Sequence, residues 1–366
     1  MARVVIAGGG TGGHLYPGLA LADALAARAV EVVYVGTANG IEARVVPETP
    51  YALHLLPGRQ VRGGGIAGAA AGALAAGRGL LRALVLLARL EPALVVGVGG
   101  YASVAVVLAA VLRRLPTLLL EQNVVPGAAN RFLGRHARRV CVGFAAAVGA
   151  FPEGRAVHTG NPLRPGVLAA RTRPPHARLG VLVFGGSAGA HRLNEATVEA
   201  LAALGEEPRR WQVTHQTGTA DRDSVRARYA ALGLDVRVEP FIVDMGAAYT
   251  AADVVVGRAG AMTCSEVTAV GLPSILVPYP HAADDHQRRN AEVLVAAGAA
   301  TMVLDRDLDG ARLGTALREI AGDPARRLAM AERARALGRP DAADRVADAC
   351  LGLMVGCSSG ESRSRA

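Results

Sequence analysis

The chain reads Val4-Val5-Ile6-Ala7-Gly8-Gly9-Gly10 near its start, an apolar run that ends in a glycine cluster. The same form returns in the second half as Val181-Leu182-Val183-Phe184-Gly185-Gly186-Ser187. A short β-branched run predicts a buried parallel strand, and a glycine turn between such a strand and a helix is typical of Rossmann-like units. The repetition predicts an α/β chain of two doubly wound, parallel-sheet domains.

Similar apolar runs alternate with helical stretches in both halves, which predicts βαβ units. A break at 160–166, followed by a polar, proline-rich stretch, predicts an interdomain linker. We therefore predict domains at 1–162 and 163–340, and a disordered, Ser- and Arg-rich tail at 356–366. The predicted strands are Val4–Ala7, Val30–Val35, Ala52–Leu55, Leu94–Gly97, Thr117–Leu120, Val140–Val142, Leu179–Phe184, Gln212–His215, Val236–Glu239, Val254–Val256, Ser274–Val277 and Ala300–Val303. The predicted helices are Gly18–Arg28, Ile41–Val46, Ile66–Leu90, Ala102–Arg113, Gly127–Arg135, Ala190–Leu204, Asp223–Leu232, Ala261–Val270, Gln287–Ala297 and Leu308–Ala321.

The composition is globular, since hydrophobic residues make up 51% of the 366 residues and charged residues 19%. All 40 basic residues are arginine, and the formal charge of +9 favours an anionic partner. No zinc-finger spacing or aromatic stacking motif accompanies this charge, which indicates phosphates or an anionic membrane surface rather than nucleic acid. The four cysteines form no Cys-x-x-Cys pair, which is typical of reduced thiols in a cytosolic protein.

One uncharged segment, Pro92 to Leu112, is about long enough to span a bilayer. Three glycines interrupt it, and a proline begins it. We therefore predict a buried strand over Ala93–Gly97, a glycine loop and a helix over Ala102–Leu112 instead of a membrane span.

The first glycine turn resembles a dinucleotide-binding turn, because Gly8, Gly10 and Gly13 match Gly-x-Gly-x-x-Gly. Such sites also need a carboxylate at the end of the second strand, and the corresponding stretch, 36–40, contains none. We therefore predict that no nicotinamide or flavin binds there. His14 lies at the mouth of the turn, where a helix N-terminus attracts anions, and this predicts acid–base chemistry beside a diphosphate. A helix-capping role for His14 is the alternative.

Two more polar motifs in the first half follow predicted strands at the sheet edge where ligands bind. These are Gly99-Gly100-Tyr101 and Glu121-Gln122-Asn123. A polar triplet at the end of an apolar strand must be hydrogen-bonded, so structural bonding within the fold could equally account for the second motif.

The second half offers groups suited to a nucleotide diphosphate and a sugar. Residues 185–189 can approach a phosphate closely, Glu266 can accept two ribose hydroxyls, and the polar start of the helix at 286–290 can bind sugar hydroxyls. No Asp-x-Asp motif directly precedes these elements, so we predict no metal site. Helix N-termini and Arg164 would then offset the diphosphate charge.

Motifs in one order along the chain resemble those of a known family. They are Thr11-Gly12-Gly13-His14, Gly99-Gly100-Tyr101, Glu121-Gln122-Asn123, Gly160-Asn161-Pro162-x-Arg164, Gly185-Gly186-Ser187, Gly260-Ala261-x-Thr263-x-Ser265-Glu266 and Asp285-His286-Gln287-x-x-Asn290. The chain is thereby similar, over roughly residues 1–350, to the peptidoglycan glycosyltransferases of family 28. These bacterial enzymes add N-acetylglucosamine to undecaprenyl-diphospho-N-acetylmuramoyl-pentapeptide.

The resemblance implies a GT-B fold, with an acceptor domain and a donor domain facing an interdomain cleft and a last helix, about 341–355, crossing back to the first domain. It implies inverting transfer from UDP-N-acetylglucosamine to the 4-hydroxyl of the acceptor lipid in peptidoglycan synthesis. It also implies no cofactor or metal and a peripheral location on the cytoplasmic face of the cell membrane. The implied partners are the two substrates, the anionic inner-membrane surface and other cell-wall and division proteins, but no nucleic acid.

Carried over residue by residue, the resemblance implies three groups of site residues. The donor-binding residues are Thr11, Gly12, Gly13, Asn123, Arg164, Ser187, Ile242, Ala261, Met262, Thr263, Cys264, Ser265, Glu266 and Gln287. The acceptor-binding residues are His14, Gly100, Tyr101 and Glu121. His14 and Glu121 are the candidate catalytic bases, and the sequence does not choose between them. Two departures from the family pattern are Ala188, where glutamine is frequent, and Met262, where leucine is common.

The helix predicted over Ile66–Leu90 carries apolar and arginine residues that suit a membrane surface. The predicted membrane-contacting residues are Ile66, Leu74, Arg78, Leu80, Leu81 and Arg82. The alternative for its C-terminal part is an ordinary amphipathic helix packed on the sheet with solvated arginines.

Two other functions stay open at this stage. One is a GT-B transferase that acts on a soluble acceptor such as an antibiotic. The other is a sugar-nucleotide-binding regulator or 2-epimerase-like protein that transfers nothing.

Overall fold

The computed structural model describes residues 2–57, 66–172, 177–186 and 189–358, with the side chains of 66–75 and 356–358 also left aside. The chain divides into two compact units. The first runs to Arg164 and resumes at Asp341, and the second is Pro165–Pro340. The predicted tail at 356–366 lies mostly outside the described residues, although the last helix continues to Ser358.

The first unit contains a seven-stranded parallel sheet in the order β3-β2-β1-β4-β5-β6-β7. In this order, β2 and β3 are added on one side of β1 and the later strands on the other side. The same order is found in doubly wound dinucleotide-type folds. Its strands are Arg3–Gly8 (β1), Glu31–Thr37 (β2), Ala52–Leu56 (β3), Leu94–Gly99 (β4), Thr117–Glu121 (β5), Arg139–Val142 (β6) and Ala156–His158 (β7). The helices that connect them are Gly12–Ala26 (α1), Glu42–Val45 (α2), Ile66–Leu90 (α3), Tyr101–Leu112 (α4) and Ala128–Leu133 (α5).

The second unit repeats this order in a six-stranded parallel sheet, β10-β9-β8-β11-β12-β13. Its strands are Leu179–Phe184 (β8), Trp211–Gln216 (β9), Val236–Glu239 (β10), Val254–Gly257 (β11), Ser274–Leu276 (β12) and Ala300–Met302 (β13). Its helices are Pro165–Ala169 (α6), His191–Ala203 (α7), Arg222–Ala231 (α8), Met245–Thr250 (α9), Ala261–Val270 (α10), His286–Ala296 (α11), Gly310–Ala321 (α12) and Pro324–Leu337 (α13). The last helix, Ala342–Ser358 (α14), belongs to the first unit.

Both faces of the central strands of the first sheet are buried, which is why β1 and β4 consist almost entirely of apolar residues and glycine. Side chains alternate along β1, so that Val4 and Ile6 pack with α1 and α14 while Val5 and Ala7 pack with α3 and α4. The two hydrophobic cores of the first unit therefore lie on opposite faces of β1.

Helix α14 is built into the first unit by packing and by charge. Val346, Ala347 and Cys350 are fully buried against the core that contains α1. Arg28, at the end of α1, bonds to Asp344 at 2.9 Å and Asp348 at 3.3 Å.

The segment from Pro92 to Leu112 folds as predicted. It forms β4, a glycine turn and α4, and so is a strand and a helix of the globular core. Within the described ranges, no helix combines the length and apolar character needed to cross a membrane.

Four of the elements numbered above, namely β7, α6, α9 and α13, were not predicted from the sequence. Strand β7 is short and lies at the sheet edge, and α9 has only six residues. Helix α13 is alanine- and arginine-rich, but it does carry a start signal, since Asp323 caps the Arg326 amide and Pro324 is the first helical residue. Helix α1 begins at Gly12 rather than at the predicted Gly18, and Pro17 lies inside the helix.

Candidate active site

The first glycine turn lies against the second at the carboxyl edge of the first sheet. Register slips by one residue here, with Ala7 opposite Gly97 and Gly8 opposite Gly99, and the Gly9 amide donates to the Gly99 carbonyl at 3.2 Å. A Cβ on Gly100 would overlap the Gly9 carbonyl. Only glycines allow two backbones to approach this closely, so the two motifs form one structure.

His14 lies in the first turn of α1, with its ring on the Gly99 backbone. A Cβ built on Gly99 would lie 2.8 Å from His14 Nε2, and Thr11 Oγ1 is 3.3 Å from His14 Nδ1. Thr11 is the N-cap residue of α1, and no side chain caps the helix there, so the alternative role of His14 as a cap is not observed. The imidazole is partly exposed.

Burial lowers the pKa of His14, although a hydrogen bond to the Gly9 backbone and the negative charge of Glu42 oppose this shift. A lowered pKa keeps the imidazole neutral at physiological pH, which is the form that can accept a proton.

Glu42 places a carboxylate at the end of β2, although the stretch 36–40 itself contains none. This carboxylate comes from α2, which follows the strand. Glu42 is fully buried, and it accepts hydrogen bonds from Gly10 N at 2.7 Å, Thr37 N at 2.8 Å and Thr37 Oγ1 at 2.9 Å. All of these donors belong to the protein, so this carboxylate is not available to a ribose.

Glu121, at the end of β5, is 2% exposed and bonded through both carboxylate oxygens. Oε1 accepts from Asn123 N at 2.9 Å, while Oε2 accepts from Asn130 Nδ2 at 2.8 Å and Gly127 N at 3.2 Å. Burial raises the pKa of Glu121, and these hydrogen bonds partly offset the rise. Structural bonding therefore accounts for much of this motif, including Gln122, whose side chain donates to the Val98 carbonyl at 3.0 Å.

Tyr101 starts α4, and its hydroxyl is buried beside Gly79 of α3 without a hydrogen-bond partner among the described residues. Arg164, the last residue of the first stretch of this unit, stacks on α1, with its guanidinium carbon 4.2 Å from the centre of the Tyr16 ring.

In the second unit, the turn between β8 and α7 is held by the end of β9. Gln216 Nε2 donates to the Gly186 carbonyl at 2.8 Å, and a Cβ on Gly189 would overlap the Thr217 carbonyl. Ser187 and Ala188, the predicted phosphate contact and its departure from the family pattern, lie outside the described residues.

Helix α10 presents part of the predicted donor motif outward and part inward. Met262, Thr263 and Ser265 are partly exposed, whereas Ala261 and Cys264 are buried. Burial raises the pKa of the Cys264 thiol to about 12. Its side chain therefore belongs to the core, and we omit it from the donor site proposed below.

Glu266 lies one turn further along α10 and is 8% exposed. Its Oε2 accepts a hydrogen bond from the Tyr249 hydroxyl on α9 at 2.8 Å, a partner that sequence reasoning missed. A buried phenol beside the carboxylate fixes the orientation of this group.

The remaining residues of the predicted donor motifs lie on α11 and in the loop after β10. Gln287 Oε1 accepts from Tyr279 N at 2.9 Å, and Asn290 Nδ2 donates to the Ala259 carbonyl at 3.2 Å. Ile242 is partly buried in the loop between β10 and α9. Within the described residues, no group of three or more His, Cys, Asp or Glu side chains could hold a metal ion.

Comparison with known proteins identifies the family. The N-terminal domain of glycosyltransferase family 28 matches residues 4–142, and its C-terminal domain matches residues 180–346. The chain belongs to glycosyltransferase family 28.

Members of family 28 resemble this chain over almost its whole length. The UDP-N-acetylglucosamine–N-acetylmuramyl-(pentapeptide) pyrophosphoryl-undecaprenol N-acetylglucosamine transferase of Anaeromyxobacter sp. (strain K) is 47% identical, covering 96% of this chain and 93% of that protein. The crystal structure of Acinetobacter baumannii MurG superposes with a TM-score of 0.76 at 30% identity, covering 95% of this chain and 98% of that one. The predicted family and the predicted GT-B class with two parallel sheets are thereby confirmed.

A second solved structure shares the fold alone. The UDP-GlcNAc 2-epimerase of Neisseria meningitidis, bound to UDP-GlcNAc, has a TM-score of 0.67 at 12% identity, with 96% of this chain and 100% of that one covered. The rival prediction of a 2-epimerase-like protein thus finds a fold match, whereas family 28 membership rests on sequence as well.

Proposed function

We propose that the chain transfers N-acetylglucosamine from UDP-N-acetylglucosamine to the 4-hydroxyl of the muramoyl residue in undecaprenyl-diphospho-N-acetylmuramoyl-pentapeptide, with inversion at the anomeric carbon. The observation that carries this proposal is the 47% identity over 96% of the chain to a transferase of that name. The geometry of His14 and Glu266 supports the chemistry.

His14 is the base that the structure favours over Glu121. Its imidazole is partly exposed and its pKa is lowered, whereas both oxygens of Glu121 already accept hydrogen bonds. In the proposed step, the acceptor hydroxyl gives its proton to His14 while its oxygen forms a bond to the anomeric carbon. The bond between that carbon and the diphosphate oxygen breaks, and UDP leaves with the electron pair.

Glu121 then has a positioning role beside the acceptor. It ties the 123–130 loop to the end of β5, and the exposed groups around this loop and the Gly100–Tyr101 turn would contact the acceptor. The Tyr101 hydroxyl, which has no partner among the described residues, could donate to an acceptor oxygen.

Donor binding is proposed for the second unit. The Glu266 carboxylate would accept the ribose hydroxyls, the backbone around Ile242 would contact the uracil, and Gln287 would bind the sugar. The N-terminus of α10, with Ala261, Met262, Thr263 and Ser265, would face the diphosphate. Arg164, Thr11, Gly12, Gly13 and Asn123, all in the first unit, are also proposed as donor contacts. Negative charge on departing UDP would be offset by these helix N-termini and by Arg164 without a metal ion.

The test uses the purified chain, radiolabelled UDP-N-acetylglucosamine and the undecaprenyl-linked acceptor in vesicles. We expect a labelled lipid product, with the same rate in EDTA as in magnesium. A soluble acceptor glycosylated in preference to the lipid would favour the antibiotic-type transferase, and epimerised donor without transfer would favour the 2-epimerase. Activity lost in EDTA and restored by magnesium would contradict the metal-free mechanism.

We also propose that α3 touches the membrane where the acceptor lipid resides. Its exposed apolar residues Leu81 (64% exposed) and Val85, together with Leu55 of β3, border a groove of about 370 Å³ whose rim includes Arg82 and Arg89. The opposite face of α3 packs on the sheet through Ala83 and Leu87. The packed-helix interpretation describes this face of α3, and the membrane contact is proposed for the exposed one. Of the other predicted contacts, Arg78 is exposed and Leu80 is partly buried, while the Ile66 and Leu74 side chains lie outside the described residues.

Replacing Leu81 with Glu should weaken binding to anionic vesicles by about tenfold, because the change removes an inserting side chain and adds repulsion. Vesicle sedimentation at fixed lipid concentration measures this. Leu328→Glu is the matched control, since Leu328 is 59% exposed on α13 of the second unit. Equal losses for both variants would argue against a specific membrane face.

A further inference from the structure

Glu42 is a buried carboxylate for which the proposed mechanism has no use so far. It begins α2, a helix of four residues, and none of its surface is exposed. Its three hydrogen-bond donors come from two places, the turn after β1 at Gly10 and the end of β2 at Thr37.

The surrounding backbone leaves room for this one side chain. A Cβ on Gly9, Gly36 or Gly40 would overlap the Glu42 side chain, so the turn after β1 and the end of β2 lack side chains at the three positions where it passes. A buried ionised carboxylate is costly unless hydrogen bonds compensate it, and two backbone amides and a hydroxyl do so here.

The two places that Glu42 joins are those that hold the ligand in dinucleotide-binding Rossmann domains. There, the glycine turn binds the diphosphate and the end of the second strand binds the ribose. In this chain a carboxylate of the protein occupies the equivalent space. The turn is therefore held by an anion that belongs to the protein itself.

The same turn carries His14. The Glu42 carboxylate holds Gly10 on one side, and the Gly99 carbonyl holds Gly9 on the other. Thr11, which follows Gly10, is the N-cap residue of α1. Its carbonyl accepts hydrogen bonds from the His14 and Leu15 amides at 3.2 and 3.0 Å.

We propose that Glu42 is a positioning residue for transfer, whose carboxylate fixes the 9–11 turn and thereby the orientation of His14. This inference rests on the proposed function of His14 as the base. Glu42 acts through the turn and touches no substrate.

The charge of Glu42 supplies a second readout. The titratable or charged side chains on the elements packed against His14 are Tyr16 on α1, with Arg164 stacked on it, Tyr101 at the start of α4, and Glu42, whose charge acts on His14. Of these, Glu42 raises the pKa of His14 through its charge, in opposition to burial. Removing this charge therefore lowers the imidazole pKa, whereas a purely structural role would leave it in place.

The test compares Glu42→Gln with Glu42→Asp. Gln keeps the shape but offers one acceptor oxygen to three donors, so we expect kcat to fall by about 10- to 100-fold from misplacement of His14. The KM for the donor should change much less than kcat, because the proposed ribose and sugar contacts lie in the second unit and only the proposed Thr11–Gly13 contacts adjoin this turn. Asp keeps the charge on a shorter side chain and should lower kcat without moving the pH limb of kcat/KM.

Titration of the His14 ring by NMR, assigned by its loss in His14→Ala, provides a readout independent of transfer. We expect the His14 midpoint to move to lower pH in Glu42→Gln and to stay in Glu42→Asp. An unmoved midpoint in Glu42→Gln overturns the proposal whether or not the wild-type chain proves to be a transferase. If Glu42→Gln does not fold, wild-type kcat in Glu42→Asp overturns it.

Asp253→Asn is the control for loss of a carboxylate bonded to a backbone amide. Asp253 Oδ2 accepts a hydrogen bond from Gly180 N at 2.8 Å, at the amino ends of β8 and β11 in the second sheet. This variant should lose stability while kcat and the His14 titration stay unchanged. A fall in kcat in Asp253→Asn equal to that in Glu42→Gln would show that general destabilisation explains both, and would overturn the proposal.

Discussion

Replacing His14 with Ala lowers kcat for transfer to the undecaprenyl-linked acceptor by about 100-fold or more, since a positioned general base contributes about 10²- to 10⁴-fold. Affinity for UDP stays within about twofold of wild type, because the proposed ribose and uracil contacts lie on the second unit. Initial rates with labelled donor and calorimetry with UDP measure the two quantities. The expected separation of kcat from nucleotide affinity distinguishes a base from a donor-binding residue.

The pH profile gives the direction in which kcat/KM should change with pH. A base must be unprotonated, so kcat/KM falls as the pH drops through the imidazole pKa. Burial lowers that pKa, which places the limb below the ordinary value of about 6.5. His14→Ala loses this limb, and added imidazole restores part of the rate at high pH.

Glu121→Gln is the comparison that decides between the two candidate bases. It keeps the size of a side chain that bonds to Asn123, Gly127 and Asn130, but it removes the carboxylate. Loss of the acid limb in Glu121→Gln, with the limb retained in His14→Ala, would assign the base to Glu121. Near-wild-type turnover in both variants would leave the mechanism without either base.

Most strands and helices could be predicted from the sequence because the residues within each element determine where it begins and ends. Leu179–Phe184, Val236–Glu239 and Ala261–Val270 agree with the structure at both ends, because valines mark the two strands and Gly260 and Gly271 bound the helix. Strand β7 has no such run, and its three residues are a strand only because β6 lies beside them. Edge strands of this kind depend on tertiary context, which a sequence window does not contain.

The site shows the same division. His14 and the glycine turns were predicted from adjacent residues, whereas Glu42 reaches back from another segment to Gly10, and Tyr249 reaches Glu266 from another helix. Cys264 is different, because helical periodicity alone groups it with the buried Val267 and Thr268. Cys264 was included because the whole donor motif was carried over from the resemblance, although the helical spacing already separated it from the exposed residues.

Glu266→Ala should weaken UDP binding by about 10- to 100-fold. Hydrogen bonds to a charged group are worth about 1.5–3 kcal/mol, and the ribose offers two hydroxyls to one carboxylate. At about 1.4 kcal/mol per factor of ten, the loss of this group accounts for the expected range. Calorimetric titration with UDP measures it, and Glu332→Ala, at an exposed glutamate of α13, is the control that should change nothing.

Tyr249→Phe separates orientation from contact at the same site. The phenol donates to Glu266 Oε2 at 2.8 Å, so its loss leaves the carboxylate present but less firmly oriented, and we expect a decrease in affinity of only about two- to fivefold. The 2′-deoxy analogue of UDP gives the complementary test. Wild-type protein should bind it more weakly than UDP, whereas Glu266→Ala should bind both alike, because the carboxylate that distinguishes them is absent. Unchanged UDP affinity in Glu266→Ala, or an undiminished preference for UDP over its deoxy analogue, would remove the ribose contact and with it the assignment of the donor nucleotide to this end of α10.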